Sequence, residues 1–441
     1  MPIFFERIEV IDVRFPTSDF LDGSDAMNPD PDYSAAYVTL HTNVANLAGH
    51  GFTFTIGRGN DIVVKAIETL GEALLGMDLA DVQRDPLGMW RRLAGDSQMR
   101  WLGPEKGVVH LATAALTNAV WDLWARAAGK PLWKLLLDLP IETVASAIDY
   151  RHISDALTPS EAVALLKDLQ ATRAEREAEL HRYGFPAYTT SAGWLGYDDD
   201  KIRRLTQQAL DDGWRHIKIK VGRSLKDDLR RCRAIREVLG NKGKLMLDAN
   251  QVWDVDEAIA NMKVLAEFEP WWIEEPTSPD DVLGHARIAS AIRPIGVATG
   301  EHCHNRIMFK QFMQAGAMQF AQIDACRLGG VNEVLAVMLM ARKFDIPICP
   351  HAGGVGLCEL VQHYSMFDYV GVSGRWDDRL TEHAAHLHEH MVDPIQIRGG
   401  RYMPPMAPGM SGEIKAKSLA DYAYPGGHVW QARKTPLEGS A

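Results

Sequence analysis

Three short apolar runs in this chain each stop on a carboxylate: KLMLDAN on Asp248, WWIEEP on Glu274 and GVATGE on Glu301. Each run predicts a short buried strand that ends on an acid. Acids that recur once per βα unit at the carboxyl ends of parallel strands converge on one mouth of a barrel. There they offer oxygen ligands to a hard cation such as Mg²⁺. The series continues beyond the three acids, with Lys218 and Lys220 in IKIKVG, Asp324 in QIDACRLGG, His351 in PHAGG and Glu382 in RLTEH. From Lys220 onward, successive members lie 23 to 31 residues apart, against roughly 30 per unit in an eight-unit barrel of ~250 residues. One Asp or Glu in such a place is as readily a helix cap; a whole series at one period is not.

The grammar of the chain changes once. Residues 5–14 and 35–42 alternate as strands do, HGFTFTIG extends the pattern, and TSDFLDGSDAMNPDPDYS between them is a turn-rich loop. DIVVKAIETLGEALLG and LATAALTNAVWDLWARAAG then carry the helical period. Strands followed by helices predict an α+β domain over residues 1–140. Over 141–398, TVASAIDY reads as a first barrel strand, the charged segment 157–184 as a helix and GFPAYTTSAGWLGY as a loop. From RHIKIKVG to YVGVSG strands and helices alternate regularly, which predicts a parallel sheet with right-handed crossovers that closes. The Pro/Gly-punctuated segment 399–441 reads as an extended return to the first domain.

A length of 441 residues suits such a barrel plus one further domain. The formal net charge of −11 argues against nucleic acid or an anionic membrane as partner. An anionic substrate has to be drawn in by a local cation, and LRRCRAIR reads as a solvated helix face. The start, MPIFFERIEVIDVRF, lacks the cationic and uninterrupted apolar regions of a signal peptide. Five cysteines without a CxxC pair fit reduced thiols in a cytoplasmic protein.

Alternation in IKIKVG points Lys218 and Lys220 to one face, where a barrel strand is normally apolar. Two ammonium groups ~4 Å apart at an effective dielectric of ~20 repel by about 4 kcal/mol, which would depress one lysine by roughly three pKa units and make it a base near neutral pH. Asp324 and His351 stand on consecutive strands. An Asp that accepts from one imidazole nitrogen fixes the tautomer and frees the other for proton transfer. Glu382 is placed to donate a proton to a developing oxyanion, and Asn250 shares a face with Asp248. His383, His386, His388 and His390 have the residue types of a metal site, yet read as a packed or solvated segment. Gly353, Gly354 and Gly356 lack the Lys and Ser/Thr of a phosphate loop.

On these residues the chain resembles the enolase superfamily, mandelate racemase subgroup, over essentially its full length. The resemblance implies an α/β fold, a modified (β/α)₇β TIM barrel with an N-terminal α+β capping domain completed by the C-terminal segment, in a homo-oligomer. Within the subgroup the chain is similar to the dehydratases of L-fuconate, through the long early loop, the GFPAYTTSAGWLGY insertion and the RLTEHAAHLHEH ending. That likeness implies a small-molecule acid sugar as substrate and its conversion to 2-keto-3-deoxy-L-fuconate. In such a scheme Asp248, Glu274 and Glu301 hold one Mg²⁺, Lys220 takes the C2 proton, and Lys218 lowers the pKa of Lys220 and contacts the carboxylate. His351, held by Asp324, protonates the departing 3-hydroxyl, and Glu382 hydrogen-bonds the enediolate oxygen. Asn250, with Ser24, Asp25, Tyr33 and Trp101 from the capping domain, is expected to meet the substrate. The same enediolate also leads to racemisation of a 2-hydroxy acid or dehydration of another sugar acid such as galactonate. A non-catalytic binding protein on this barrel would be expected to have lost a lysine or a ligand.

Overall fold

In the computed structural model, which describes residues 1–434 apart from Pro104 and Lys242, the alternating N-terminal segments form an antiparallel sheet of three strands. These are β1 (Phe5–Arg14), β2 (Ser34–Thr42) and β3 (Ala48–Thr55), in sequence order. The helix Gly107–Ala127 packs on this sheet almost without spacing. A Cβ on Gly51 of β3 would stand 2.3 Å from the carbonyl oxygen of Ala115, so only glycine admits the helix here.

The second sheet is parallel and curls shut. Its strands are β4 (Phe185–Thr189), β5 (His216–Lys220), β6 (Lys244–Asp248), β7 (Trp272–Glu274), β8 (Gly296–Thr299), β9 (Phe320–Ala321) and β10 (Thr381–His383), with β10 paired to β4. Residues 347–351 fill the remaining place: Cys349 N–H donates to Ala321 O, and Glu382 N–H to Pro350 O. Seven helices lie between the eight strand positions, from Asp199–Asp211 to Leu357–Phe367, which is a (β/α)₇β barrel. A short strand, β11 (Arg401–Tyr402), pairs antiparallel with the outer side of β4.

Three local expectations fail, each for a visible reason. TVASAIDY is not a strand: Ile141–Ser146 is a helix that starts after Pro140, and turns follow it. The first barrel strand lies instead in GFPAYTT, where Phe, Tyr and Thr favour extended backbone after Gly184. YVGVSG continues the helix Leu357–Phe367 as a wide helical turn, and the closing strand is the later Thr381–His383, so Glu382 sits on regular structure.

Inward-facing positions two residues before the polar series fill the barrel. Met246, Trp272, Cys349 and Leu380 pack with Tyr188, Ala298 and Phe320 in one buried cluster. Asp248, Glu274, His351 and Glu382 are their i+2 neighbours, so the period of two that seals the barrel floor also aims the polar groups into its mouth.

The N-terminal domain covers that mouth and is tied to it from both ends. Tyr424 N–H donates to Asp12 O and the Trp430 indole to Arg14 O, so the C-terminal segment does return to β1. On the other side, Trp121 donates to Asn332 Oδ1, and His110 Nε2 lies 2.6 Å from Glu333 Oε2. Arg306 joins Glu333 (3.0 Å) to Glu105 (2.7 Å). None of the described helices is long and apolar enough to cross a membrane.

Burial alone would raise the Glu333 carboxyl, but His110 and Arg306 bring it down to about 2. A lowered carboxyl stabilises the fold above its ordinary value near 4.5 and loses that contribution as pH falls toward about 2. Glu333→Gln should therefore lower stability at pH 7 by about 2–4 kcal/mol, measured by urea unfolding. The gap to the unaltered chain should narrow steadily below pH 4.5.

Candidate active site

Register sets the row of charged groups. β5 pairs Lys220 with Asp248 of β6, and β6 pairs Asp248 with Glu274 of β7. Strands run roughly 4.8 Å apart, so the three side chains are lateral neighbours. Glu301 follows β8 directly, and carboxylate oxygens of Asp248, Glu274 and Glu301 all lie within 4.8 Å of one another. The three acids are buried, and Glu274 Oε2 and Glu301 Oε2 have no hydrogen-bond partner among the described residues. Unpartnered buried carboxylate oxygens turned into one small volume fit a hard divalent cation held by oxygen ligands.

The lysines answer these charges directly. Lys218 Nζ lies 2.6 Å from Glu274, 2.9 Å from Glu382 and 3.2 Å from Asp248, and Lys220 Nζ lies 2.6 Å from Asp248. The expected depression of Lys220 is therefore reversed. Burial and the Lys218 charge push its proton off, but Asp248, Asp25 and Glu301 overcome both and hold it above the ordinary lysine range. Lys218 is likewise raised against burial by Glu274 and Glu382. Among the acids, Asp248 is lowered against burial by the two lysines, whereas burial and neighbouring carboxylates raise Glu274.

On another side of the mouth, His351 Nδ1 lies 2.7 Å from Asp324 Oδ2. The other Asp324 oxygen accepts from the backbone of Cys326 and Arg327. Burial would lower His351, but Glu301, Asp324 and Glu382 carry it up to about 10, so the imidazole is charged at neutral pH. Glu382 accepts from Ala352 N–H at 2.8 Å. Burial opposes its ionisation, yet Lys218 and His351 lower it. It thus stands as a carboxylate in this arrangement, and not as the proton donor the sequence suggests.

These groups open on one cavity of about 250 Å³, lined by Lys220, Asn250, Glu301, Asp324, His351 and Glu382 together with Asp25, Tyr33, Phe54 and Ile56 of the N-terminal domain. Asn250 is buried, and its Oδ1 has no partner among the described residues. Asp25 organises its own loop, accepting from the backbone of Met27 and Asn28, and adds its charge to the Lys220 environment. Ser24 is buried between cavity-lining neighbours, and its Oγ has no hydrogen-bond partner among the described residues. Trp101 is misplaced by the sequence reading. It is 92% exposed on the short helix Met99–Leu102, which buries none of its residues, and it does not line the cavity.

The sequence reading also misses residues. Trp194 of the presumed loop walls the cavity, with Lys220 Nζ 5.6 Å from its ring centroid. A Cβ on Gly193 would stand 2.4 Å from Lys218 O, so the segment crosses directly over β5. Arg231 clamps it there: fully buried, it donates to Gly193 O at 2.7 Å, whereas its neighbours Arg230 and Arg233 are exposed as a solvated face should be. Glu275 and His302, each one residue past an acid of the series, form a second carboxylate–imidazole contact. The doubled acid of EEP was the available signal. Of the histidine-rich segment, His388 bonds Glu359 and His390 bonds Ser418, as packing groups.

Comparison with known proteins gives a consistent picture. Residues 31–136 match the model of the mandelate racemase / muconate lactonizing enzyme N-terminal domain, and residues 201–418 that of the enolase C-terminal domain-like family. The L-galactonate dehydratase of Hypocrea jecorina is 55% identical over 420 residues, 94% of this chain and 93% of that protein. The crystal structure of human mitochondrial enolase superfamily member 1 aligns with a TM-score of 0.97 at 54% identity, covering 99% of both chains. A racemase from Streptomyces coelicolor with bound magnesium aligns with a TM-score of 0.72 at 26% identity over 95% of this chain and 99% of that one.

The cation site is tested by its ligands. Glu274→Gln keeps the shape and removes one charge, and should weaken Mn²⁺ binding, followed by electron paramagnetic resonance, by about 100-fold or more, in line with losses of ~10–100-fold from mere outer-shell changes. Affinity equal to that of the unaltered protein would exclude the site.

Proposed function

Because the chain belongs to the enolase superfamily, in its mandelate racemase/muconate lactonizing enzyme family, we propose that it is a Mg²⁺-dependent acid-sugar dehydratase with L-fuconate as substrate. The observation that carries this reading is the joint placement, at one buried mouth, of three convergent carboxylates, a lysine pair and an Asp–His dyad.

Held by Asp248, Glu274 and Glu301, Mg²⁺ would supply the charge that an enediolate dianion needs and take up the carboxylate charge that keeps both lysines protonated. Lys220 removes the C2 proton. Lys218 contacts the substrate carboxylate and disfavours the charged form of Lys220. The charged His351, oriented by Asp324, gives its proton to the 3-hydroxyl, which leaves as water. Glu382 faces the same cavity and in its protonated form hydrogen-bonds the enediolate oxygen, while the His351 proton is kept for the 3-hydroxyl. The resulting enol tautomerises to the 2-keto-3-deoxy acid. Asn250 and Asp25 face the cavity from the barrel and the cap, and Tyr33 walls it.

L-Fuconate and L-galactonate share their configuration from C2 to C5 and differ in one hydroxyl at C6. The similarity to an L-galactonate dehydratase therefore supports this stereochemical class. Phe54, Ile56, Leu111 and Trp194 in the cavity wall suit a terminal methyl better than a hydroxymethyl group. Removing one hydroxyl from an apolar contact is worth only about 10²-fold, so L-galactonate is the second candidate. The homo-oligomer is also a proposal. Ile62, Met99, Leu102 and Val108 line a groove on the cap beside the exposed Trp101, an apolar surface of the kind that copies of a chain cover.

A panel of acid sugars assayed for 2-keto product, with Mg²⁺ present and then chelated, should give turnover of L-fuconate in the first case alone. Lys220→Ala should abolish exchange of the C2 proton in D₂O, whereas His351→Asn should retain exchange and lose at least about 10²-fold in dehydration. Persistent exchange in the lysine variant would move the base to His351.

A further inference from the structure

We propose that His302 is a substrate-binding residue, held by Glu275 so that its free ring nitrogen accepts from a substrate hydroxyl beyond C3. The proposal rests on the acid-sugar reading above and names the polyol contact within it. His302 Nδ1 lies 2.8 Å from Glu275 Oε1, and the other oxygen of Glu275 accepts from Gln251 Nε2 at 2.8 Å. Glu275 is completely buried, so the contact is dry on the carboxylate side. Gln251 Nε2 also lies 2.8 Å from Nδ1. A charged carboxylate oxygen at the same distance is the stronger partner and keeps the proton on Nδ1, which leaves Nε2 with its lone pair. The ring itself is partly exposed and lines the cavity beside Glu301 and Asn250, and Nε2 has no protein partner among the described residues.

The backbone is bent to produce this arrangement. Asn250, Gln251 and Glu275 have φ of 45°, 69° and 41°, a left-handed region that non-glycine residues enter only at a cost. The left-handed turns directly after β6 and β7 bring Gln251 and Glu275 together, with Gln251 N–H donating to Glu275 O at 2.7 Å. Strain at consecutive strand ends, directed at one cavity-lining ring, marks a functional contact better than a packing one.

The hydroxyl follows by elimination. The carboxylate and the 2-hydroxyl face the three acids and Lys218, and the 3-hydroxyl faces His351. Oxygens further along the chain meet what is left of the lining. Asp25 is engaged by its own loop, and Arg58 is largely solvated beside Asp30. Arg327 is tied through Nε to Glu301 O. Asn250 also faces the cavity with Oδ1 unpartnered among the described residues, and His302 adds to cavity exposure a buried, hydrogen-bonded support.

Two substitutions separate the ring nitrogens, since a Gln amide reaches the position of Nε2 and an Asn amide that of Nδ1. His302→Gln should keep kcat/KM on L-fuconate within about threefold, whereas His302→Asn should lose about 10- to 100-fold. Mn²⁺ affinity should be unchanged in both. The loss should vanish for C2 exchange of 2,3-dihydroxybutanoate, which lacks the hydroxyls beyond C3. A His302→Asn protein as active as the unaltered one would overturn the proposal, as would a loss equal on both substrates or one matched by weaker Mn²⁺ binding. If the unaltered protein turns over no acid sugar at all, the functional reading fails first, and that outcome is distinct from the others.

Discussion

Three carboxylates whose oxygens converge within 4.8 Å in a dry barrel mouth cannot all stay charged unless cations stand against them. At ~4 Å and an effective dielectric of ~20, each like-charged pair costs about 4 kcal/mol. The chain meets part of this cost with two lysines on the adjacent strand, whose ammonium groups touch Asp248, Glu274 and Glu382. What remains unmatched is seen in the raised Glu274 and Glu301 and in their unpartnered oxygens. The three acids thus carry more negative charge than the described cations balance, a balance that a dication would complete. The same balance explains why Lys220 stays protonated in the protein's own field: it is a counter-ion first, and can act as a base only when Asp248 has another partner.

The N-terminal domain does more than roof the cavity. The loop that carries Asp324 runs on to residue 330, and groups from the domain hold it along its length. Asn118 donates to Ala325 O, Thr53 to Cys326 O and the Trp90 indole to Gly329 O. Gly329 N–H donates in turn to Glu333, which His110 and Arg306 grip. Asp324 orients His351, so the imidazole's aim depends on the docking of the N-terminal domain onto this loop. Substitutions at that interface would therefore reach the chemistry through geometry.

Much of this was legible in the sequence because a barrel has a period. Strand ends recur about every 30 residues, and an acid, a lysine pair or a histidine at each end stands out against apolar runs. Lys218, Lys220, Asp248, Glu274, Glu301, Asp324, His351 and Glu382 do meet at one mouth. Illegible were the features set by tertiary contact. GFPAYTTSAGWLGY is a strand followed by a segment locked over β5, because Arg231, hidden in a basic helix, reaches its carbonyl. Trp101, whose residue type suits a sugar, faces outward because its helix is too short to bury a face. The sign of the Lys220 shift also escaped: alternation shows two lysines together, but how many carboxylates cross from neighbouring strands is a fact of register.

Three of the residues that the pattern hid, Gln251, Glu275 and His302, lie within three positions of a strand end. Inside a strand, pairing fixes where each side chain points, and so the ligand row is common to any chain with this register. Past the last ladder bond the backbone is free to turn, and here Asn250, Gln251 and Glu275 turn left-handed. That conformation costs energy and is sustained by the buried hydrogen bonds it creates, Gln251 to Glu275 and Glu275 to His302. Two rows result. The lower one is set by the sheet and the upper one by strained turns; in the proposed reaction the lower handles the proton at C2 and the upper meets whatever extends beyond the reacting carbons. A barrel of this kind can therefore change its substrate by altering the second row while the first stays as the register dictates.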